Sequence, residues 1–267
     1  MRRILTLAVA VLALAPAWLG GAVAQQSGGF STTAKNAILM DYESGSIIYQ
    51  KAADELVAPA SMSKLMTLAV LFKALKDGEV TLETEFQTSE NAWRKGGAPS
   101  GTAAMFIPIN NKTPIGELIQ GIAVQSGNDA AMTVAEGLAG SVENFAKMME
   151  AEARRIGLEK STFRNATGLP DPEHLMTARE LAELARYIIK NYPDRYKVFS
   201  QREFAYRKHK FYNRNPLLSA DIGVDGMKTG HTTEAGYGMG VPSVSDGRRR
   251  VGPVLGVGNG KERRRVT

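Results

Sequence analysis

The hydrophobic positions change their period several times along the chain. Residues 4–19 form one apolar run behind Met1, Arg2 and Arg3, and small residues follow as far as Ala22-Val23-Ala24. A basic start, a short apolar core and an A-x-A site predict a secretory signal peptide over residues 1–24, cleaved before Gln25. Pro16 interrupts the run, which is shorter than the roughly 20 apolar residues that a membrane span requires. Residues 37–40 and 47–49 are β-type runs separated by Glu43-Ser44-Gly45, which predicts a hairpin. Leu65, Leu68, Ala69, Phe72 and Leu75 then recur at helical spacing, with Lys73 and Lys76 off the stripe. That pattern predicts an amphipathic helix, closed by Gly78.

Residues 80–112 are mixed and Gly-rich and predict short strands and loops. Thr113-Pro114 reads as an N-cap and first-turn proline, opening a helix toward Val124. Ser126-Gly127-Asn128 interrupts it, and an Ala-rich helix follows to about Leu138. Ser141 can cap a helix over residues 142–155, stopped by Gly157. Thr177 and Glu180 form a capping box for a helix ending near Lys190. Residues 203–212 alternate as one strand, and 237–244 and 250–257 as two more. Strands at both ends of a helical middle predict an α/β chain of the α+β kind. Its antiparallel sheet would be flanked by helices, with a mainly helical second lobe.

Composition narrows the chemistry. The 267 residues include no cysteine, which removes disulfides, thiolate metal sites and a Cys nucleophile. His174, His209 and His231 are not at metal-ligand spacing, so neither a metal nor a cofactor is expected. The net charge of +6 is uneven, since residues 246–267 carry seven Lys/Arg against Asp246 and Glu262. Residues 25–245 hold 24 basic and 25 acidic side chains, so the excess lies at the ends rather than in a stripe, and no nucleic-acid partner is expected. The terminal arginines leave peripheral association with anionic lipid open.

Three short motifs carry candidate chemistry. In Ser61-Met62-Ser63-Lys64 the spacing puts Ser61 and Lys64 on one face of a helix start. A partly neutral lysine there can take the serine proton. Alone, the pair also fits a capped helix with a solvated lysine. Ser126-Gly127-Asn128 alone also fits a turn between helices. In Lys228-Thr229-Gly230 a lysine and a hydroxyl can bind a carboxylate, and Gly230 would let a ligand backbone come close. Alone, it also fits an exposed strand end. Together and in this order, the three match the S-x-x-K, S-x-N, K-T-G set of β-lactamases and penicillin-binding proteins.

Beyond the motifs, the chain resembles the low-molecular-mass penicillin-binding proteins, serine D-alanyl-D-alanine carboxypeptidases of peptidase family S11. The resemblance covers about residues 34–257 and rests on five stretches. These are residues 58–64 (APASMSK), 125–130 (QSGNDA), 163–170 (FRNATGLP), 176–182 (MTARELA) and 224–232 (VDGMKTGHT). It implies a β-lactamase/transpeptidase-like fold over residues 25–267 and assigns roles to the motif residues. Ser61 would be acylated by peptidoglycan stem peptides ending in D-Ala-D-Ala, with Lys64 as general base and Ser126 relaying a proton to the leaving D-alanine. Asn128, Lys228, Thr229, Gly230 and His231 would bind substrate, the Ser61 and His231 N–H groups forming the oxyanion hole. β-Lactams would acylate the same serine. The resemblance places such a protein in the periplasm or at the outer face of the cytoplasmic membrane, in peptidoglycan synthesis and cell-shape maintenance.

Some features depart from the family pattern. Relatives continue through a last helix and often a β-rich domain, neither expected here. Glu150 stands where Asn is expected, and Pro242 and Pro253 fall within predicted strands, where ladder donors are needed. A serine β-lactamase, a D,D-endopeptidase and an inactive wall-binding form share the motif set. Against a class A β-lactamase, no Glu-x-x-Leu-Asn element lies between Asn128 and Lys228, although Glu173 occupies a loop there.

Overall fold

The computed structural model describes residues 31–266, so the leader expected over residues 1–24 lies outside the described residues. The expected hairpin forms as β1 (Asn36–Asp41) and β2 (Ile47–Lys51). A 3₁₀ turn over Ala60–Ser63 leads into α1 (Lys64–Lys76). Short elements follow: β3 (Glu85–Gln87), α2 (Glu90–Gly96), β4 (Lys112–Pro114) and α3 (Ile115–Gln120). A π-helical turn, Gly121–Gln125, precedes α4 (Asn128–Ala139) and α5 (Val142–Arg155). Then come α6 (Ala178–Asn191), α7 (Pro193–Tyr196), β5 (Glu203–Tyr206) and β6 (His209–Tyr212). The chain returns through β7 (Lys228–Thr232), β8 (Gly236–Ser245) and β9 (Arg248–Val257), and α8 (Gly260–Val266) follows. A helix therefore does begin after the last strand.

The main sheet is antiparallel, in the order β2-β1-β9-β8-β7. β1 pairs with β9 more than 200 residues later, Asn36 opposite Leu255 and Asp41 opposite Arg250. Both prolines lie in interior strands, not on edges. Each sits where a ladder is broken, because proline has no N–H to donate. Pairing between β1 and β9 skips Gly252 and Pro253, and Pro242 lies beyond the end of β7.

α1 is not the surface amphipathic helix that the pattern predicts. Ten of its residues are buried, including Lys64 and Thr67, and α4, α5 and α6 pack around it. Leu65, Met66, Leu68, Leu71 and Phe72 form the centre of the main core. A helix enclosed by neighbours needs no polar face, and here only its last turn reaches water. α5 and α6 do carry single apolar stripes, led by Phe145 and Met149 and by Leu181, Ala185 and Ile188. Ser141 caps α5 by accepting the Asn144 N–H at 3.1 Å, and Thr177 caps α6 by accepting the Glu180 N–H at 3.0 Å. The capping box is only half made. The Glu180 carboxylate accepts instead from the backbone N–H groups of Lys160 and Ser161, tying the loop after α5 to α6.

Other expectations shift. Pro114 itself is the N-cap of α3, while Thr113 is in β4. Residues 203–212 are two strands, turning at Arg207, whose φ is +51°. Arg249, counted among the terminal basic charges, is partly buried and binds Asp225 at 2.6 and 3.0 Å through two nitrogens. Among the described residues, no helix is long and apolar enough to cross a membrane.

Candidate active site

Ser61 lies in the 3₁₀ turn that opens α1. Two backbone features force this turn against its neighbours. Ala60 has φ +49°, a left-handed conformation that costs a non-glycine residue energy. Gly168, at φ +74°, packs its Cα so tightly on the turn that a Cβ would come within 2.0 Å of the Ala60 carbonyl oxygen. β7 packs against the same turn, and a Cβ on Gly230 would lie 3.0 Å from both Met62 Cγ and the Pro59 oxygen. Gly230 thus leaves room for the nucleophile turn on the side where a Cβ would point.

Lys64 Nζ lies 3.0 Å from Ser61 Oγ. It also lies 2.6 Å from Asn128 Oδ1 and 2.5 Å from the Thr167 carbonyl oxygen. Those two oxygens can accept both N–H bonds of a neutral amine, leaving its lone pair for the Ser61 hydroxyl. Lys64 is fully buried. Burial, then the positive charges of Lys228 and Arg214, hold its pKa well below the ordinary value, and Asp129 opposes the shift. The geometry therefore admits the base form, and the electrostatics favour it.

Asn128 is fixed by donating Nδ2–H to Thr102 Oγ1 at 2.8 Å and its backbone N–H to the Ala103 oxygen at 2.7 Å. The Thr167 carbonyl is placed by Asn165, whose Oδ1 accepts from the N–H groups of Thr167 and Gly168 and from Thr167 Oγ1. Ser126 ends the π-helical turn at φ 65°, ψ 30°, and its Oγ lies 2.8 Å from Lys228 Nζ. Burial, followed by the charges of Arg214 and Arg263, pushes the Lys228 pKa down to about 7.

A cleft of about 700 Å³ runs over these groups. Ser61, Ser126, Asn128, Thr229, Gly230 and His231 line it, while Lys64 and Lys228 lie buried beneath. All eight sequence-predicted residues therefore meet here. A cation that the sequence does not single out, Arg214, also lines the cleft. Among the described residues it forms no ion pair, and burial lowers its pKa. An exposed guanidinium without a carboxylate, at the rim of a cleft, suits an anionic ligand. Nothing local flags it, because Tyr212-Asn213-Arg214-Asn215-Pro216 reads only as a turn. Arg263 of α8 also borders the cleft, over the Tyr237 ring. Among the described residues, no group of three His, Asp or Glu side chains converges as a metal site requires.

Comparisons with known proteins identify the family and the fold. A family model described as D-alanyl-D-alanine carboxypeptidase matches residues 22–259. The D-alanyl-D-alanine carboxypeptidase DacA of Haemophilus influenzae is 37% identical over 227 residues, which are 84% of this chain and 57% of that protein. The chain thus spans little more than half the length of that curated relative. Among solved structures, penicillin-binding protein 5 from Haemophilus influenzae superposes with a TM-score of 0.85 at 36% identity, over 88% of this chain and 69% of that one. Penicillin-binding protein D2 from Listeria monocytogenes, in its ampicillin-bound form, superposes with a TM-score of 0.80 at 27% identity, over 90% and 96%. The α+β fold is the one these penicillin-binding proteins have. The chain belongs to the S11 peptidase family of D-alanyl-D-alanine carboxypeptidases.

Proposed function

We propose that the protein is a serine-type D-Ala-D-Ala carboxypeptidase that removes the terminal D-alanine of peptidoglycan stem peptides. The observation that carries this reading is Lys64, fully buried and 3.0 Å from Ser61 Oγ with both of its N–H acceptors in place. Ser61 Oγ attacks the carbonyl carbon of the penultimate D-alanine while Lys64 Nζ takes the hydroxyl proton. The Ser61 and His231 backbone N–H groups stabilise the oxyanion. Ser126, backed by Lys228, passes a proton to the departing amine as the C–N bond breaks. Arg214 and Thr229 hold the carboxylate of the leaving residue. Asn128 orients Lys64. Water then attacks the Ser61 ester and frees the shortened peptide.

β-Lactams would form the same ester, as the ampicillin-bound relative suggests. Deacylation would be slow. Glu173 is exposed and paired with Arg164 at 3.2 Å, so it is not placed to activate water at Ser61. That favours the carboxypeptidase over a serine β-lactamase. The reading includes export, with residues 25–267 forming one β-lactamase/transpeptidase-like domain at the cell wall.

The test is D-alanine release from peptides ending in D-Ala-D-Ala, D-Ala-L-Ala and L-Ala-D-Ala. Release from the first alone, lost in Ser61→Ala, is the expected result. Release from none, by a folded chain, would contradict the proposal.

A further inference from the structure

The even charge balance of residues 25–245 conceals one local excess. Residues 202–214, the β5–β6 hairpin and its continuation to Arg214, contain five Lys/Arg and a single acid, Glu203. Arg202, Arg207, Lys208, Lys210 and Arg214 are all exposed. Lys210 meets the Glu203 carboxylate at 2.8 Å. The other four form no ion pair among the described residues. Lys73, Arg94, Arg179 and Lys197, by contrast, each sit against a carboxylate. Unpaired cations gathered on one hairpin raise a local positive field, which attracts a polyanion.

Two aromatic rings interrupt the charges. Tyr212 is 63% exposed, with Lys210 Nζ 5.5 Å from its ring centroid. Phe106 is 42% exposed and stands beside His209 and Phe211. Its φ is +61°. The buried Asp129 carboxylate holds this backbone, accepting the Met105 and Ile107 N–H groups at 2.8 and 3.0 Å. A non-glycine residue in that conformation costs energy, and here the cost keeps an apolar ring in water. The hairpin itself is firmly seated. Its Phe204, Tyr206 and Phe211 are buried, and Tyr206 Oη lies 3.2 Å from both Thr113 Oγ1 and Asn111 Nδ2.

The hairpin also adjoins the catalytic cleft. β6 packs on the π-helical turn that ends in Ser126, and Arg214, two residues past β6, lines the cleft. The patch is therefore continuous with the cleft on the side where Arg214 holds the leaving carboxylate. We propose that the β5–β6 hairpin, together with Phe106, is a second binding surface for polymeric peptidoglycan. It would engage a neighbouring segment of the polymer whose stem peptide occupies the cleft. Each uncleaved stem peptide ends in a carboxylate, which Arg202, Arg207 and Lys208 match in charge. Sugar rings present flat C–H faces to Tyr212 and Phe106. An anionic bilayer would match the charge as well, but continuity with the cleft selects the polymer on which the enzyme acts. Two linked contacts on one polymer raise its effective concentration at Ser61 without any new contact inside the cleft. The inference rests on the carboxypeptidase reading and adds to it a preference for polymer over free peptide.

The test compares D-alanine release from insoluble peptidoglycan and from a soluble pentapeptide, at the same subsaturating concentration of D-Ala-D-Ala ends. The polymer-to-peptide rate ratio should fall about tenfold in Arg207→Asn combined with Lys208→Glu, as loss of charge-assisted contacts implies. Asn suits the positive φ of position 207, +51°, so the turn is kept. Tyr212→Ser should lower the ratio as well. Release from the soluble peptide should be unchanged in both variants, because neither alters the cleft. Raising the salt concentration should narrow the wild-type ratio, since exposed charges are screened.

A ratio that is the same in wild type and in both variants would overturn the proposal. So would variants that lose binding to phosphatidylglycerol vesicles while keeping the wild-type ratio, which would assign the hairpin to a membrane surface. Either result, with D-alanine still released from the soluble peptide, would remove the second surface and leave the Ser61 chemistry standing. No release from either substrate and no penicillin adduct would remove both.

Discussion

The proton inventory around Lys64 decides the chemistry at the residue scale. Acylation requires its neutral form, and its pKa is held well below 10.5, so the acylation rate should fall as pH drops through that lowered value. A rate limb with its midpoint near 10.5 would contradict the assignment. Replacing Lys64 by Ala should slow acylation by roughly 10²–10⁴-fold, the usual contribution of a general base. Lys228 provides a separate test through stability. Its pKa is about 7 in the fold against an ordinary 10.5, so the unfolded chain holds the proton more tightly across that window. Stability should therefore rise with pH between about 7 and 10.5, the full gain being present above 10.5. Urea unfolding at pH 7 and pH 9.5 should show a larger rise for wild type than for Lys228→Met. The three motifs were legible in the sequence because each is a short contiguous run of residues. Arg214, Asn165 and the Thr167 carbonyl were not, because their roles exist only once separate loops meet at Lys64.

Glycines and capping residues control the site at the scale of elements. A Cβ at position 168 would collide with the Ala60 oxygen, on backbone whose φ is already positive. Gly168→Ala should therefore cost about 3 kcal/mol of stability and displace the Ser61 turn, lowering acylation even in the folded fraction. Denaturant unfolding and penicillin acylation, measured on the same preparation, check both effects. Phe72, 1% exposed in the centre of α1, should cost roughly 3–5 kcal/mol on replacement by Ala. Helices with a single apolar stripe, α5 and α6, were legible with their caps. α1 was recognised as a helix but assigned the wrong environment, because periodicity reports a polar face only where one faces water. β4 and the β5–β6 turn were missed, since three- or four-residue elements carry too little pattern to locate. Glu150 shows how a departure from the family pattern is absorbed, because it accepts from Arg164 at 2.5 Å and from the Phe163 N–H.

For the whole molecule, the sheet is closed by pairing β1 with β9 at opposite ends of the described chain. The Ser61 turn is held from one side by β7 and from the other by Gly168, so sheet and helical lobe together build the cleft. Arg249 links β9 to Asp225, just ahead of β7, and Tyr196 donates to the same carboxylate at 2.7 Å. A strand-end arginine was legible from composition only as terminal charge, because its partner is 24 residues away. The central claim concerns Ser61, and intact mass after incubation with benzylpenicillin tests it most directly. The account predicts one stable adduct, of the mass of the intact antibiotic, on the wild-type protein and none on Ser61→Ala. A folded wild-type chain that gains no mass, or a Ser61→Ala chain that still gains it, would contradict the account.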